Sequence, residues 1–233
     1  MRDSYPLPYY ERVPLPIAAA FLRLGEKYDI EQLMDEGKAR LCCAFEPTLS
    51  VAAKMSSFHS GTLSLFPGIT GGDPHNFQVM NLLQEMGLKA PLPLAMYQCV
   101  TACPLIAIVD GYKFDGSFCS LSPANLQSWI LMKNILENFR IRLAQSLRVS
   151  NNCVVQSSCV LHIRRLWADE ATVGQPFGPW RHEWDKLFCD SCRGDLNMWR
   201  NAAILKAWNQ LPTAFGFDSW AEVAKNDVFP SLR

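Results

Sequence analysis

Apolar residues recur at helical spacing along most of this chain. Near its start, Ile17, Phe21, Leu24 and Tyr28 follow one another at steps of four, three and four residues. These steps place the four side chains on one face of a single helix, which Pro14 is well suited to begin. We therefore expect this face to pack against another part of the protein.

A second helical pattern starts directly after Tyr28. Asp29 is the predicted N-cap, and Gln32, three residues later, is its capping-box partner. The apolar side of this second helix comprises Ile30, Leu33, Met34, Gly37 and Leu41. Residues 14 to 45 are therefore predicted to form an αα-hairpin with a very tight turn.

Residues 46 to 72 interrupt this regularity. They are rich in Ser, Gly, Thr and Pro and show no clear period, so we predict a flexible loop. A third helix is predicted from about Pro74 to Met86, and the next helix starts near Pro91. Between Ile106 and Phe118, short β-prone runs bracketed by Asp-Gly pairs predict a small extended hairpin.

The remainder of the chain again has helical character. Ser122 as N-cap and Pro123 at the first helical position predict the start of the longest helix, which should end near Leu147. Further helices are predicted around 158–167, from the region of Cys189 towards Leu211, and after Asp218 as a cap. The predicted fold class is mainly α: an αα-hairpin and an irregular helical region with a small extended hairpin. The predicted organisation is an N-terminal part (1–45), the loop (46–72) and a helical region with a cysteine cluster (73–225).

Composition narrows the possible classes of protein. The chain has 233 residues, of which 49% are hydrophobic, and this is enough for a substantial core. Lys plus Arg and Asp plus Glu both number 22, without long runs of one sign, which argues against nucleic acid or an anionic membrane as a general partner. No apolar run has the length of a membrane span, and we expect an intracellular protein, in the cytoplasm or the nucleus.

Four of the nine cysteines form two close pairs. Cys153 and Cys159 are followed, after 29 intervening residues, by Cys189 and Cys192 in a Cys-Asp-Ser-Cys sequence. If the two pairs meet in space, their thiolates suit a structural, tetrahedral Zn²⁺ ion. Free thiols packed near helix ends are the alternative. His162, three residues after Cys159, is a further candidate that would replace one thiolate.

The sequence carries no recognisable reaction centre. The four histidines are scattered, and neither a Gly-x-Ser-x-Gly elbow nor a His-Glu-x-x-His helix occurs. We therefore expect a non-enzymatic protein.

Several stretches together resemble one family. Residues 21–33 contain the run Leu-Gly-Glu-Lys-Tyr-Asp, and this segment is similar to the last helix pair of a BTB/POZ domain, in the form expanded in mushroom-forming fungi. Other stretches resemble the region that follows in that family, and they are 92–99 (LPLAMYQC), 111–122 with its Asp-Gly pair, 188–192 (FCDSC), 208–212 (WNQLP) and Trp220. The resemblance extends over most of the chain from Pro14 onward.

This resemblance implies a function in protein-protein interaction, as an adaptor of BTB type with protein partners. Only thirteen residues precede Pro14, so it also implies that most of the BTB core is absent from this chain, which would be a fragment. A zinc-stabilised nucleic-acid-binding module is the alternative; its basic cluster would be Arg164, Arg165 and Arg181. Without the BTB core, the N-terminal hairpin is expected to dock partly on the later helices and to leave an apolar patch exposed.

Overall fold

The protein is mainly helical. The computed structural model describes residues 12–56, 68–71, 73–114, 116–168, 177–178 and 182–226. The α-helices of this part are α1 (Leu15–Tyr28), α2 (Glu31–Ala44), α3 (Leu49–Ser56), α4 (Asp73–Glu85), α5 (Leu92–Ala102), α6 (Leu105–Asp110), α7 (Pro123–Ser146), α8 (Gln156–Ala168), α9 (His182–Asp185), α10 (Asp190–Gln210) and α11 (Trp220–Asn226). A 3-10 helix at Leu211–Phe215 follows α10 directly.

Four short strands form two separate pairs. Strands β1 (Val13–Pro14) and β2 (Ile69–Thr70) run parallel, whereas β3 (Tyr112–Phe114) and β4 (Ser117–Cys119) form an antiparallel hairpin. The second pair is the predicted small extended hairpin. Its predicted start was too early, because Ile106 lies in helix α6, which Pro104 precedes and Gly111 ends.

The main hydrophobic core includes both the N-terminal hairpin and the later helices. Helix α5 lies at its centre, since every residue from Leu92 to Val100 is buried. Leu22 of α1, Leu41 of α2 and Phe77 of α4 belong to the same core, which also contains side chains of α7 and α10. The hairpin therefore docks on the helices that follow it.

The packing of α1 on α2 reverses the face that the sequence predicts. The buried residues of α1 are Leu15, Ala18, Ala19, Leu22 and Gly25, while the predicted face is half-buried or exposed. Small residues explain this reversal. A Cβ atom added to the Gly37 of α2 would lie only 2.6 Å from the Leu22 Cγ, so Leu22 fills the space that a side chain at Gly37 would take, and the two helices approach closely at this point.

The turn between α1 and α2 also differs from its prediction. Asp29 is not an N-cap of α2, since it ends α1 in the left-handed conformation with φ 53°. Asp tolerates this conformation better than most residues do. Ile30 takes the N-cap position of α2 and, having no polar side chain, makes no side-chain capping bond.

The segment predicted as a flexible loop contains regular structure. Helix α3 occupies its first part, where the Val51 N–H donates to the Thr48 hydroxyl and the buried Ala52 and Met55 face the core. Only eight residues long, this helix has too short an apolar pattern to be recognised in the sequence. Residues 57–67 and 72 of the predicted loop lie outside the described residues.

A buried arginine connects α2 to β2. Arg40 is fully buried, its Nε donates to a Glu36 carboxylate oxygen at 2.7 Å, and its Nη1 lies 3.4 Å from the Gly68 carbonyl. The Val13 N–H also donates to the Gly68 carbonyl, at 3.1 Å. These contacts hold β1, α2 and β2 together beside the main core.

A second, smaller hydrophobic cluster lies towards the C-terminal end of the chain. It consists of side chains from α8, from the first half of α10 and from the segments before these helices. Its buried members are Leu147, Cys159, Ile163, Leu166, Trp184, Phe188, Cys192 and Leu196. The two pairs of cysteines meet in this cluster.

Candidate metal centre and exposed apolar surfaces

Each cysteine pair lies at the beginning of a helix. Cys153 is in the turn before α8 and Cys159 is in the first turns of that helix. Cys189 occupies the N-cap position of α10, and Cys192 follows in its first turn. Residues three apart across a helix start lie on the same side, so the Cys-Asp-Ser-Cys sequence directs both thiols towards α8.

The four sulfur atoms are close enough to share one ion. The potential ligand atoms of all four cysteines lie within 4.8 Å of one another, and the Cys153 and Cys189 Sγ atoms are 3.7 Å apart. In a tetrahedral zinc site with Zn–S bonds of about 2.3 Å, neighbouring sulfurs are about 3.8 Å apart. The four cysteines can therefore hold a metal ion after small adjustments of their side chains.

Burial divides the four cysteines into two kinds. Cys159 and Cys192 are fully buried in the smaller cluster, whereas Cys153 and Cys189 are partly exposed. The buried Cys192 Sγ accepts a hydrogen bond of 3.4 Å from the Ser150 N–H. An N–H donor to a ligand sulfur stabilises its thiolate form, which is the form that binds metal. Sequence reasoning missed Ser150, because backbone donors leave no signature in the residue type.

The thiols differ in acidity. The backbone N–H groups of Cys192 and Val154 lower the pKa of Cys189 to about 6. Burial raises the pKa of Cys159 and of Cys192 instead. Since the buried thiols hold their protons, a metal ion that binds all four sulfurs has to displace protons from them.

His162 does not belong to the ligand group. The atoms that come within ligand distance of one another belong to the four cysteines alone in the described part of the chain. The His162 ring instead packs edge-on against Phe188 at a centroid distance of 6.1 Å. His162 therefore packs beside the cysteine centre as a neighbouring side chain.

The remaining cysteines lie apart from this centre. Cys99 of α5 and Cys103, which follows the end of that helix, are both buried in the main core. The Asn76 side-chain amide donates to the Cys103 sulfur at 3.7 Å. Cys42 is buried and Cys43 is half-buried.

The outer face of α1 is a stripe of partly exposed apolar side chains. We call Ile17, Phe21, Leu24 and Tyr28 the α1 stripe; Ile17, Leu24 and Tyr28 are 43%, 45% and 59% exposed. The sequence predicts that the hairpin docks partly on the later helices and leaves an apolar patch exposed, and the described residues have both features. The sequence also predicts that the α1 stripe packs against another part of the protein, whereas its side chains are only partly covered.

A second apolar surface is more exposed. Leu105, Ile106 and Val109 project from α6 with exposures of 64%, 65% and 75%, and Phe118 of β4 is 63% exposed. The Phe118 ring lies against Gly111, directly after α6. We call these four residues the α6 patch. The α6 patch was not expected from the sequence, because the region between Ile106 and Phe118 was predicted to be extended.

Basic side chains lie on or next to the two helices that carry the cysteine pairs. Arg164 and Arg165 are exposed on α8, and the Arg148 guanidinium lies over the Trp199 ring at 4.8 Å. Arg181, the third member of the predicted basic cluster, lies outside the described residues.

Among the described helices, none combines the length and the apolar character that crossing a membrane requires.

When the chain is compared with models of protein families, with curated proteins and with solved structures, no match is found.

Proposed function

We propose that this protein is a non-enzymatic adaptor that binds other proteins, and that a structural Zn²⁺ ion holds its C-terminal part together. The cysteine centre carries the zinc part of this proposal. Four thiolates are soft ligands that favour zinc, and four protein ligands fill a tetrahedral site without leaving a position for a substrate. Such a closed site is structural.

The position of the cysteine centre indicates which parts of the protein the ion would connect. Helix α8 is packed in the smaller cluster, where two of the buried members, Cys159 and Cys192, are ligands themselves. A small cluster buries little apolar surface, and metal ligation is a common supplement in such cases. Zinc would link α8 to the start of α10 and thereby hold the cluster closed.

Metal analysis of protein purified without chelator tests the zinc proposal. We expect about one zinc per chain, with X-ray absorption showing a shell of sulfur atoms at about 2.3 Å. Cys192→Ser should lose most of the metal. Cys43→Ser, which changes a half-buried thiol outside the centre, should retain it. A metal-free wild-type protein, or equal metal content in both variants, would refute the assignment.

The α6 patch carries the adaptor part of the proposal. Leu105, Ile106 and Val109 of α6 and Phe118 of β4 are large apolar side chains, each more than 60% exposed, and the Phe118 ring lies against Gly111, directly after α6. Exposed apolar groups in this number are typical of protein-binding surfaces. The resemblance of the chain to BTB-type proteins supports the same function, as does the α1 stripe.

Site-specific photocrosslinking in cells tests the adaptor function. A photoreactive amino acid at Val109 should yield a discrete cross-linked protein partner, and Phe118→Asp should abolish that product. The same amino acid at Ile141, an exposed residue of α7 with 54% exposure, is the matched control and should not yield it. If Val109 and Ile141 give the same products, the α6 patch is not a binding surface.

Cysteine chemistry favours an intracellular location. The nine cysteines all lie in the described part of the chain and form no disulfide bond there, and four of them form the proposed zinc site. Zinc-thiolate centres and reduced cysteines persist in reducing compartments, which are the cytoplasm and the nucleus.

The basic residues on and next to the helices that carry the cysteines favour a second candidate function, nucleic-acid binding. Arg164 and Arg165 are exposed on the helix that the metal would hold, and Arg148 covers an aromatic ring. A gel-shift assay with generic DNA and RNA tests this alternative. Tight binding that weakens steeply with salt and is lost on changing Arg164 and Arg165 to Gln would support it over the adaptor.

A further inference from the structure

Cys153 and Cys189, the two partly exposed cysteines of the centre, differ from the two buried ones in their position relative to the helices. They lie outside helices, in the turn before α8 and at the N-cap of α10, whereas Cys159 and Cys192 lie within those helices. Their sulfurs are 3.7 Å apart. A disulfide bond is about 2.0 Å long, so the two sulfurs need to approach by only about 1.7 Å.

We infer that Cys153 and Cys189 are a redox modification site, at which hydrogen peroxide forms a disulfide and thereby releases the metal. This inference rests on the proposed zinc site. It assigns a regulatory role to two of the four ligands and leaves the two buried ligands reduced.

The chemistry balances with peroxide as the oxidant. The thiolate of one of the two exposed cysteines attacks the O–O bond, which breaks to give a sulfenic acid and a hydroxide ion that takes up a proton. The second thiolate then attacks the sulfenic sulfur, the S–S bond forms, and the leaving hydroxide is protonated to water. Two thiolates lose two electrons in total, and one peroxide becomes two water molecules.

Disulfide formation removes two of the four ligands. The remaining buried thiols, Cys159 and Cys192, are two ligands only and hold zinc far more weakly than a complete tetrahedral set. Burial also protects them from the oxidant, because their side chains have no exposed surface. A dithiol reductant together with zinc would restore the centre.

The experiment starts from full-length, zinc-loaded protein titrated with hydrogen peroxide. Released zinc is followed with a chromogenic chelator, and metal content is measured before oxidant is added. We expect one equivalent of peroxide to release about one zinc per chain. Dithiothreitol with added zinc should restore the original metal content. Cys43→Ser is the control and should release zinc in the same way, since this thiol lies outside the centre.

Peptide mapping assigns the new bond. Trypsin is expected to place Cys153 and Cys159 on one peptide and Cys189 and Cys192 on another. The inference requires a link between these two peptides, which fragmentation assigns to Cys153 and Cys189. A bond within either peptide, or a link through Cys159 or Cys192, would overturn it.

The experiment distinguishes a failure of the zinc proposal from a failure of the redox inference alone. If the protein contains no zinc before oxidation, the zinc proposal fails and the release mechanism fails with it. If zinc is bound but stays bound at peroxide concentrations that oxidise Cys43, the zinc proposal stands and the redox inference alone is wrong.

Discussion

The close packing of α1 against α2 leads to one prediction, which glycine-to-alanine substitutions can test. Glycine to alanine in a helix interior adds one methyl group and stabilises the helix by about 1 kcal/mol when the methyl group has room. Gly25, Gly37 and Gly194 are all helical, but their surroundings differ. The same substitution should therefore raise the free energy of unfolding at Gly194 and lower it at Gly37 and Gly25.

Distances from the added Cβ atom set the expected order. At Gly194 the Cβ meets nothing within 4 Å, so Gly194→Ala should stabilise the protein by about 1 kcal/mol. At Gly37 it would lie 2.6 Å from the Leu22 Cγ and 3.3 Å from the Ala18 carbonyl oxygen. Overpacking a core costs about 1–3 kcal/mol, so Gly37→Ala should destabilise by about 1 kcal/mol after the helix gain is subtracted.

Gly25 is the most restrictive of the three positions. Its added Cβ would lie 2.8 Å from the Met34 backbone nitrogen, which cannot move without shifting α2 as a whole. Gly25→Ala should therefore destabilise by about 2 kcal/mol, from the upper end of the overpacking range less the helix gain.

Thermal and urea unfolding, followed by circular dichroism on metal-saturated protein, measure these differences. A change of 1 kcal/mol shifts the melting temperature of a chain of this size by about 2–4 °C. Gly194→Ala should melt above the wild type, and Gly37→Ala and Gly25→Ala below it in that order. If all three variants are stabilised equally, α1 and α2 do not pack this closely.

Three further predictions concern the cysteine centre and one surface ion pair. Cys192→Ser should lower the melting temperature, and adding EDTA should destabilise the wild type but not this variant, because only the wild type has metal to lose. Zinc affinity, measured by competition with a chelator, should rise between pH 6 and pH 8, because burial raises the pKa of Cys159 and metal must displace its proton; a pH-independent affinity would contradict this. Arg23→Met should cost less than about 1 kcal/mol in urea unfolding at pH 7, since its bidentate pair with Glu85 is exposed. The hydrogen bond from Arg23 lowers the pKa of Glu85, so this small contribution is present above the ordinary value of 4.5 and disappears as the pH falls through the lowered pKa.

Local signals in the sequence were sufficient for several elements. Ser122 caps α7 as predicted, with its hydroxyl accepting from the Asn125 N–H, and the helix ends at Ser146, next to the predicted end near Leu147. Such caps depend on residues three apart, so the sequence contains all of the information. The αα-hairpin and the meeting of the cysteine pairs could be predicted for a similar reason, because helical periodicity and paired spacing are direct patterns.

The features that were missed depend on distant parts of the chain. Which face of α1 is buried is decided by the small residues Ala18 and Gly37, which permit close approach and leave the larger apolar residues outside. Tertiary packing of this kind overrides the rule that large apolar side chains are buried. Cys159 is buried in the smaller cluster with Trp184 and Phe188, whereas Cys153 is only partly buried against that cluster, and the spacing of the cysteines does not contain this difference.

Helix α10 passes through both hydrophobic clusters, and this gives its two halves different resistance to local opening. Cys192 and Leu196 belong to the smaller cluster, whereas Ile204 and Trp208 belong to the main core. Amide hydrogens near the start of α10 should therefore exchange with solvent through opening of the smaller cluster alone, and those near its end only when the main core opens. Along one unbroken helix, hydrogen exchange would report the state of the cysteine centre at one end and the global stability at the other.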